Sequence, residues 1–129
     1  MKTNRSANAK LVVVIEDDPL VLEATAGLLC SWGFKVIAAP CFENAMKQLS
    51  EAGRRPDLIV SDYRLSEGAT GVDAIEGLRN AFEIPALLIS ADSRCPQADG
   101  ARDGYQLLHK PVNADSFRAA LIEACVLRH

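Results

Sequence analysis

Five short runs of apolar residues recur along the chain, and each ends at a polar residue or a turn. Three of these runs are almost wholly apolar, a pattern typical of strands that are covered on both faces in a parallel sheet. Two weaker runs complete the set. The pattern predicts five β-strands, at residues 11–15, 35–39, 58–60, 86–89 and 106–109.

Segments with helical periodicity separate the predicted strands. Asp18 is placed as an N-cap before Pro19, and Gly33 is placed to end the helix that starts there. Residues 92–104 contain one proline, two glycines and few apolar side chains, so a fourth helix there should be short and loosely held. The other helices are predicted at residues 41–52, from 70 or 71 to 81, and 113–127.

The alternation of strands and helices predicts an open, doubly wound α/β fold with right-handed crossovers. In the flavodoxin-like, five-stranded parallel form of this class, the strand order is 2-1-3-4-5. Ligands bind beyond the carboxyl ends of the first and third strands, where the order reverses. A chain of 129 residues fits one such domain. We expect residues 11–129 to form it, with residues 1–10 as a flexible lead-in.

Composition narrows the class of protein. A net charge of −3 gives no basic field for a nucleic acid, so no nucleic-acid partner is expected. The apolar runs are far shorter than the roughly 20 residues of a membrane helix, and no signal-peptide core is apparent, which predicts a cytoplasmic protein without membrane insertion. The scattered cysteines predict reduced, mostly buried thiols rather than a zinc site: Cys30, Cys41, Cys95 and Cys125.

Carboxylates follow two of the predicted strands at the edge where ligands are expected. Glu16 and Asp17 come directly after the first strand, and Asp62 follows the third. Two unit charges about 4 Å apart repel by on the order of 4 kcal/mol at intermediate dielectric. A hard cation such as Mg²⁺, which binds carboxylate and phosphate oxygens, would relieve this repulsion.

The fourth and fifth strands bring complementary groups to the same edge. Ser90 ends the fourth apolar run, and Lys110 follows the fifth. A carboxylate can attack phosphorus as a nucleophile, while a metal ion and a lysine neutralise phosphoryl oxygens and a hydroxyl donates a hydrogen bond. The set of groups indicates phosphoryl-transfer chemistry.

Four ordered motifs resemble those of the response-regulator receiver family, over residues 11 to about 127. They are V-V-V-I-E-D-D-P, D-L-I-V-S-D, L-L-I-S-A and L-L-H-K-P-V. The resemblance implies a phosphoacceptor domain that is served by a histidine kinase or a histidine phosphotransfer protein. The segment D-Y-R-L-S-E-G-A-T-G-V-D-A-I also looks like receivers at the C-terminus of hybrid histidine kinases. The chain is therefore expected to be a stand-alone receiver or one that belongs to such a kinase.

The resemblance also implies a role for each matching residue. Asp62 would be the phosphoacceptor, and Ser90 and Lys110 would contact the phosphoryl group. A magnesium ion, with manganese as the alternative, would be held by Asp62 and three further groups. These are the Asp17 carboxylate directly, Glu16 through water, and the backbone carbonyl of Arg64.

Further positions are expected to modulate signalling. In the family, the positions matched by Arg64 and Asp92 tune water access to the acyl phosphate. Leu107 stands where many receivers carry a switch aromatic, three residues before the lysine. We therefore expect the conformational switch to work differently here. A homodimer through the face of the fourth helix and fifth strand is a further expectation.

Two other functions share part of this pattern. A phosphatase with an aspartyl nucleophile uses similar chemistry, but it normally has a second Asp two residues after the nucleophile, where this chain has Arg64. A receiver-like module that binds partners without phosphorylation would not need the acidic, hydroxyl and lysine positions that are present. Turnover of a phosphomonoester would favour the first, and a magnesium titration without spectroscopic change would favour the second.

Overall fold

A computed structural model of the chain describes residues 9–62, 71–82, 84–90, 105–109 and 113–127. The described strands form one five-stranded sheet in the order β2-β1-β3-β4-β5, with every neighbouring pair parallel. The predicted fold class and strand order are confirmed. The strands are β1 (Leu11–Ile15), β2 (Lys35–Ala39), β3 (Leu58–Asp62), β4 (Ala86–Ser90) and β5 (Tyr105–His109).

Helices lie between the strands and after the last one. In chain order they are α1 (Pro19–Ser31), α2 (Phe42–Ala52), α3 (Gly71–Ala81) and α4 (Ala114–Leu127). The segment 92–104, where a fourth helix was predicted, lies outside the described residues. Here α4 therefore denotes the C-terminal helix.

Local interactions at the helix ends match the residue types found there. The Asp18 carboxylate caps α1 by accepting from the backbone N–H of Leu20, at 3.0 Å, as its predicted N-cap role requires. Gly33 follows α1 with φ 94°, and Gly53 follows α2 with φ 63°. Both glycines adopt a left-handed conformation that L side chains rarely tolerate, which explains why each helix ends where it does.

The core has two halves, one on each face of the sheet. On one face, α2 and α3 cover side chains that include Val13 and Ile59. On the other face, α1 and α4 cover the alternate positions, Val12 and Val14 among them. Because successive side chains of a strand point to opposite faces, a strand buried on both sides must be apolar throughout. This double burial explains the unbroken apolar run of β1.

A ring contact joins α1 to α4 on the second face. The rings of Trp32 and Phe117 meet edge to face, with centroids 5.9 Å apart, and the Arg118 guanidinium lies 5.6 Å from the centre of the Trp32 ring. Within the described ranges, no helix combines the length and the apolar character needed to cross a membrane.

The expectation of mostly buried cysteines is wrong for the described residues. Cys30 is exposed, while Cys41 and Cys125 are half-buried, and all three are free thiols. Cys30 lies on the solvent side of α1 next to the fully buried Leu29, and Cys41 is the N-cap residue of α2 rather than part of its apolar face. Cys95 lies outside the described residues.

Candidate functional site

The switch point of the sheet, where β1 lies between β2 and β3, brings three carboxylates together. Ile15 is aligned with Ser61 in the parallel pairing of β1 and β3, so Glu16 and Asp17 leave β1 beside the end of β3, where Asp62 stands. One carboxylate oxygen from each of Glu16, Asp17 and Asp62 lies within 4.8 Å of the other two. The edge predicted for the site therefore carries the predicted acidic cluster.

Glu16 forms hydrogen bonds to backbone groups through both its own N–H and its carboxylate. Its N–H donates to the Ala39 carbonyl of β2 at 3.0 Å, and its carboxylate oxygen Oε2 accepts from the Asp18 N–H at 3.1 Å. The residue is only 7% exposed. A buried carboxylate requires such donors, because desolvation without hydrogen bonds is costly. Asp17 and Asp62 are half-buried and stand closer to solvent.

Asp18 is the fourth acid of the region, but its side chain belongs to the helix. It is exposed and accepts from the backbone N–H groups of Leu20 and Val21, at 3.0 and 3.4 Å. Its own N–H meanwhile fixes the Glu16 carboxylate. The acids of the turn from β1 into α1 therefore differ in role. Asp18 caps the helix, while the carboxylates of Glu16 and Asp17 belong to the cluster at the sheet edge.

Ser90 reaches the same edge from the neighbouring strand. Asp62 is aligned with Ile89 in the pairing of β3 and β4, so Ser90 lies one position further toward the carboxyl end. Ser90 is 1% exposed, and its partner across the next pairing is His109 of β5. The structure therefore places a buried hydroxyl-bearing residue beside the strand end that carries Asp62.

The structure does not describe the side chains of the remaining predicted site residues. Lys110, Arg64 and Asp92 lie outside the described residues. The backbone of Leu107 is described as part of β5, where it is aligned with Leu88 of β4. His109 ends β5 at this edge, and Lys110 is the next residue in the sequence.

Ser61 is a polar residue of this region that the sequence pattern did not assign. It is fully buried in β3, and its hydroxyl donates to the backbone carbonyl of Asp62 at 3.0 Å. A buried hydroxyl with this hydrogen bond restrains the backbone that carries the Asp62 carboxylate. The position of Ser61 directly after the apolar run of residues 58–60 could have indicated this role, but a polar residue there is equally typical of the start of a loop.

Mutual repulsion among the three carboxylates of the acidic cluster favours the binding of a cation. At 4.8 Å, two unit charges repel by about 3.5 kcal/mol at an effective dielectric constant of 20. Three carboxylates form three such pairs, and a divalent cation between them would turn repulsion into attraction. Oxygen-only donors, two of them on the half-buried residues Asp17 and Asp62, suit a hard cation that keeps part of its water shell, as Mg²⁺ does.

The receiver domain model of response regulators matches residues 12–122 of the chain. The chain belongs to this family. Receiver domains of response regulators are signalling domains rather than classical enzymes, and they generally bind Mg²⁺ at an acidic pocket. In this receiver, the acidic cluster stands at the switch point between β1 and β3.

Two curated proteins illustrate what the receiver is similar to. It is 31% identical over 80 residues to the phyllosphere-induced regulator PhyR of Methylorubrum extorquens, a match that covers 62% of this chain and 30% of PhyR. It is also 31% identical over 115 residues to the transcriptional regulatory protein KdpE of Mycobacterium tuberculosis, covering 86% of this chain and 49% of KdpE. The chain thus spans half or less of these curated relatives.

Solved structures support the same fold. A response regulator receiver protein from Sinorhizobium medicae WSM419 superimposes with a TM-score of 0.82 at 21% sequence identity. The match covers 95% of this receiver and 99% of that chain. The similarity of fold therefore extends over nearly the whole of the Sinorhizobium chain, although about four residues in five differ between the two sequences.

Proposed function

We propose that this receiver accepts a phosphoryl group on Asp62 in a reaction that depends on Mg²⁺, and that the modified domain signals through a change of conformation. The convergence of the Glu16, Asp17 and Asp62 carboxylates within 4.8 Å carries the proposal. Asp62 is the member of the cluster at the end of β3, next to the strand that brings Ser90. It is also half-buried, so an incoming donor can reach it.

The residues present suit a magnesium ion. The Asp17 and Asp62 carboxylates would ligate it directly, and Glu16, whose oxygen already accepts from the Asp18 N–H, would bind one of its waters. The Arg64 carbonyl is proposed as the third protein oxygen. When bound, the ion neutralises charge on the carboxylates and on the phosphoryl oxygens. Mn²⁺ has similar oxygen preferences and would serve as a substitute.

The proposed reaction is a transfer from phosphohistidine to carboxylate. An Asp62 oxygen attacks phosphorus in line, the P–N bond breaks, and its electron pair returns to the imidazole nitrogen, which then takes a proton from solvent. The product is an acyl phosphate on Asp62. Hydrolysis of that bond by water restores the carboxylate and releases inorganic phosphate.

Ser90 and Lys110 would respond to the new phosphoryl group. A phosphoryl group adds negative charge and acceptor oxygens, which draw a hydroxyl donor and an ammonium toward it. We propose that this shift biases the segment 92–104 and β5 between two states. Leu107 is the middle residue of β5. As an aliphatic residue, it cannot supply the rotamer change of an aromatic ring.

We further propose that the phosphoryl donor is a histidine kinase or a histidine phosphotransfer protein. Residues 11–129 would form the receiver and residues 1–10 a lead-in. Since the chain spans half or less of its curated relatives, any output activity of a longer protein is part of this proposal rather than of the described domain.

Incubation with acetyl phosphate and Mg²⁺, followed by intact-mass measurement, tests the proposal. We expect the wild type to gain one phosphoryl group, and we expect no gain in the presence of EDTA. Asp62→Ala should remain unmodified, whereas Asp115→Ala, which removes an exposed acid at the start of α4, should react like the wild type. Circular dichroism checks that both variants are folded. An unmodified wild type, or a modified Asp62→Ala, would defeat the proposal and favour an interaction module that works without phosphorylation.

A further inference from the structure

The edge strand of the sheet exposes part of its backbone. Strand β2 ends the described sheet, with β1 on one side and no described strand on the other. The N–H of Lys35 donates to the Lys10 carbonyl, and the Ala39 carbonyl accepts from the Glu16 N–H. Because backbone groups of a strand alternate in direction, Lys35, Ile37 and Ala39 face β1, and Val36 and Ala38 face outward.

The carboxyl half of this edge is closed by a side chain from α2. Gln48 donates through Nε2 to the Ala38 carbonyl at 2.8 Å, and the same nitrogen lies 2.7 Å from Oδ1 of Asn44. The Asn44 contact fixes the amide against the strand. Exposed strand edges invite pairing with other chains, and proteins commonly cover them. Among the residues that the structure describes, this side-chain cover reaches Ala38 and does not extend to Val36.

A groove of about 660 Å³ opens at the uncovered half. Its lining includes consecutive residues of the edge strand that belong to both faces of the sheet, Val36 on the side of α1 and Ile37 on the side of α2. Cys30 of α1 and Ala52 of α2 line it from the two faces. Val36, whose backbone groups face away from β1, is thus one of the residues that line this groove.

The lining of the groove carries an excess of positive charge, and the Asp57 carboxylate stands beside it, where it accepts from the N–H of the lining residue Leu11 at 2.8 Å. Lys35 and Arg54 line it, and none of the described lining residues is acidic. A guanidinium nitrogen of Arg54 donates to the Ala9 carbonyl, which holds this cation at the groove. Residues 1–8 of the chain contain Lys2 and Arg5 and no acid, so by charge they are a poor occupant. A partner with carboxylates is complementary.

We propose that the groove binds an extended, acidic segment of a partner protein, which adds to β2 alongside Val36 and places a carboxylate near Lys35 and Arg54. Strand addition uses main-chain hydrogen bonds for affinity and side-chain pockets for selectivity, and both are available here. The groove lies at the amino end of β2, while the acidic cluster stands at the carboxyl ends of the strands. Binding at the groove is therefore separate from phosphorylation of Asp62.

Nuclear magnetic resonance on the full chain, labelled with ¹⁵N, tests the proposal with a short capped peptide in which valine and glutamate alternate. We expect the amide resonances of Val36 and its neighbours to shift on titration, and the Val36 amide proton to exchange more slowly with solvent. A peptide with lysine in place of glutamate should bind at least about 10-fold more weakly, because it meets like charge. A glutamate peptide that is N-methylated at alternate residues should not bind, because it cannot pair as a strand.

Two variants with the same change in charge separate the groove from general electrostatics. Lys35→Glu should weaken binding of the acidic peptide about 5- to 10-fold. Lys47→Glu changes an exposed residue of α2 outside the groove lining and should leave the affinity within about 2-fold of the wild type. Gln48→Ala should extend the shifts to the Ala38 amide, since it removes the cover from that carbonyl.

Absent shifts at Val36 would overturn the proposal. So would equal binding of the lysine or N-methylated peptide, or equal weakening by the two charge variants. These outcomes leave phosphorylation of Asp62 untouched, because the acetyl phosphate assay reads the opposite end of the sheet.

Discussion

Replacement of Asp17 by asparagine removes one of three negative charges that lie within 4.8 Å of one another, while keeping the side-chain volume. Two repulsive pairs disappear, one with Glu16 and one with Asp62. Each pair costs about 3.5 kcal/mol at an effective dielectric constant of 20 and about 0.9 kcal/mol in bulk water. Asp17 and Asp62 are half-buried, so the lower end of this range applies. The positive end of α1 stabilises an acid at Asp17 and offsets part of the gain. We therefore expect Asp17→Asn to raise the free energy of unfolding by about 1 kcal/mol without a divalent cation.

The order should reverse when Mg²⁺ is present. A cation that binds the folded state stabilises it by RT ln(1 + [L]/Kd), which is about 2.7 kcal/mol at 100 times Kd. The wild type should gain this stabilisation, while Asp17→Asn, which lacks a charged ligand, should gain much less. A variant that is more stable than the wild type in EDTA and less stable than the wild type in Mg²⁺ indicates that the carboxylate cluster binds the metal ion.

Urea denaturation in EDTA and in excess Mg²⁺ measures both effects. Trp32 is the single tryptophan of the chain and packs on Phe117 between α1 and α4, so its fluorescence reports loss of that packing. Glu23→Gln removes an exposed charge from α1 and serves as the control, with changes within about 0.5 kcal/mol in either buffer. Lower stability of Asp17→Asn in EDTA, or equal gains from Mg²⁺ in the two proteins, would refute the reasoning.

Substitutions at three further positions test the fold and the site separately. Ser90→Ala should slow phosphorylation by acetyl phosphate about 100-fold by removing a hydroxyl donor, and Ser90→Thr should recover most of the rate, as measured by the time course of intact mass. Asp18→Ala should lower the free energy of unfolding by about 1 kcal/mol in urea titrations, because the N–H groups of Leu20 and Val21 lose their acceptor. Leu121→Ala should cost about 2–5 kcal/mol in the same titrations, since this fully buried side chain of α4 would leave a cavity.

Each of these expectations has an outcome that contradicts it. An unchanged rate in Ser90→Ala would remove the hydroxyl from the mechanism, and a Ser90→Thr protein as slow as Ser90→Ala would point to packing instead. Full stability of Asp18→Ala would mean that the cap contributes nothing. A loss below about 1 kcal/mol in Leu121→Ala would mean that α4 is not docked on the sheet as described.

The fold was predictable because double burial leaves a strong signal in a sequence. The first two strands were predicted with the bounds that the structure has. Errors occurred at strand ends, since β3 continues to Asp62 and β4 to Ser90, beyond the apolar runs. Backbone pairing does not depend on side-chain polarity, so a strand can continue through polar residues. The candidate site residues at the sheet edge are polar, and the strands include them. The pattern of apolar residues therefore ends before the candidate site residues Asp62 and Ser90.

The carboxylate cluster was predictable from topology, whereas the β2 groove was not. Parallel strands place their carboxyl ends at one edge, so knowing the strand order sufficed to bring Asp62 near Asp17. The closure of Ala38 by Gln48 depends instead on where α2 lies against an edge strand, and helical periodicity says nothing about that contact. The exposure of Cys30 could not be predicted either. The solvent side of α1 carries few charged residues, so the sequence does not distinguish it from the buried side.

The proposed function depends most directly on which residue carries the phosphoryl group. Reduction of the modified protein with borohydride converts an aspartyl phosphate to homoserine, and tandem mass spectrometry of its peptides then locates the change. We predict reduction at Asp62 alone, and only after incubation with both acetyl phosphate and Mg²⁺. Reduction at Asp17 or Glu16, or no reduced residue in protein shown by circular dichroism to be folded, would contradict the central claim.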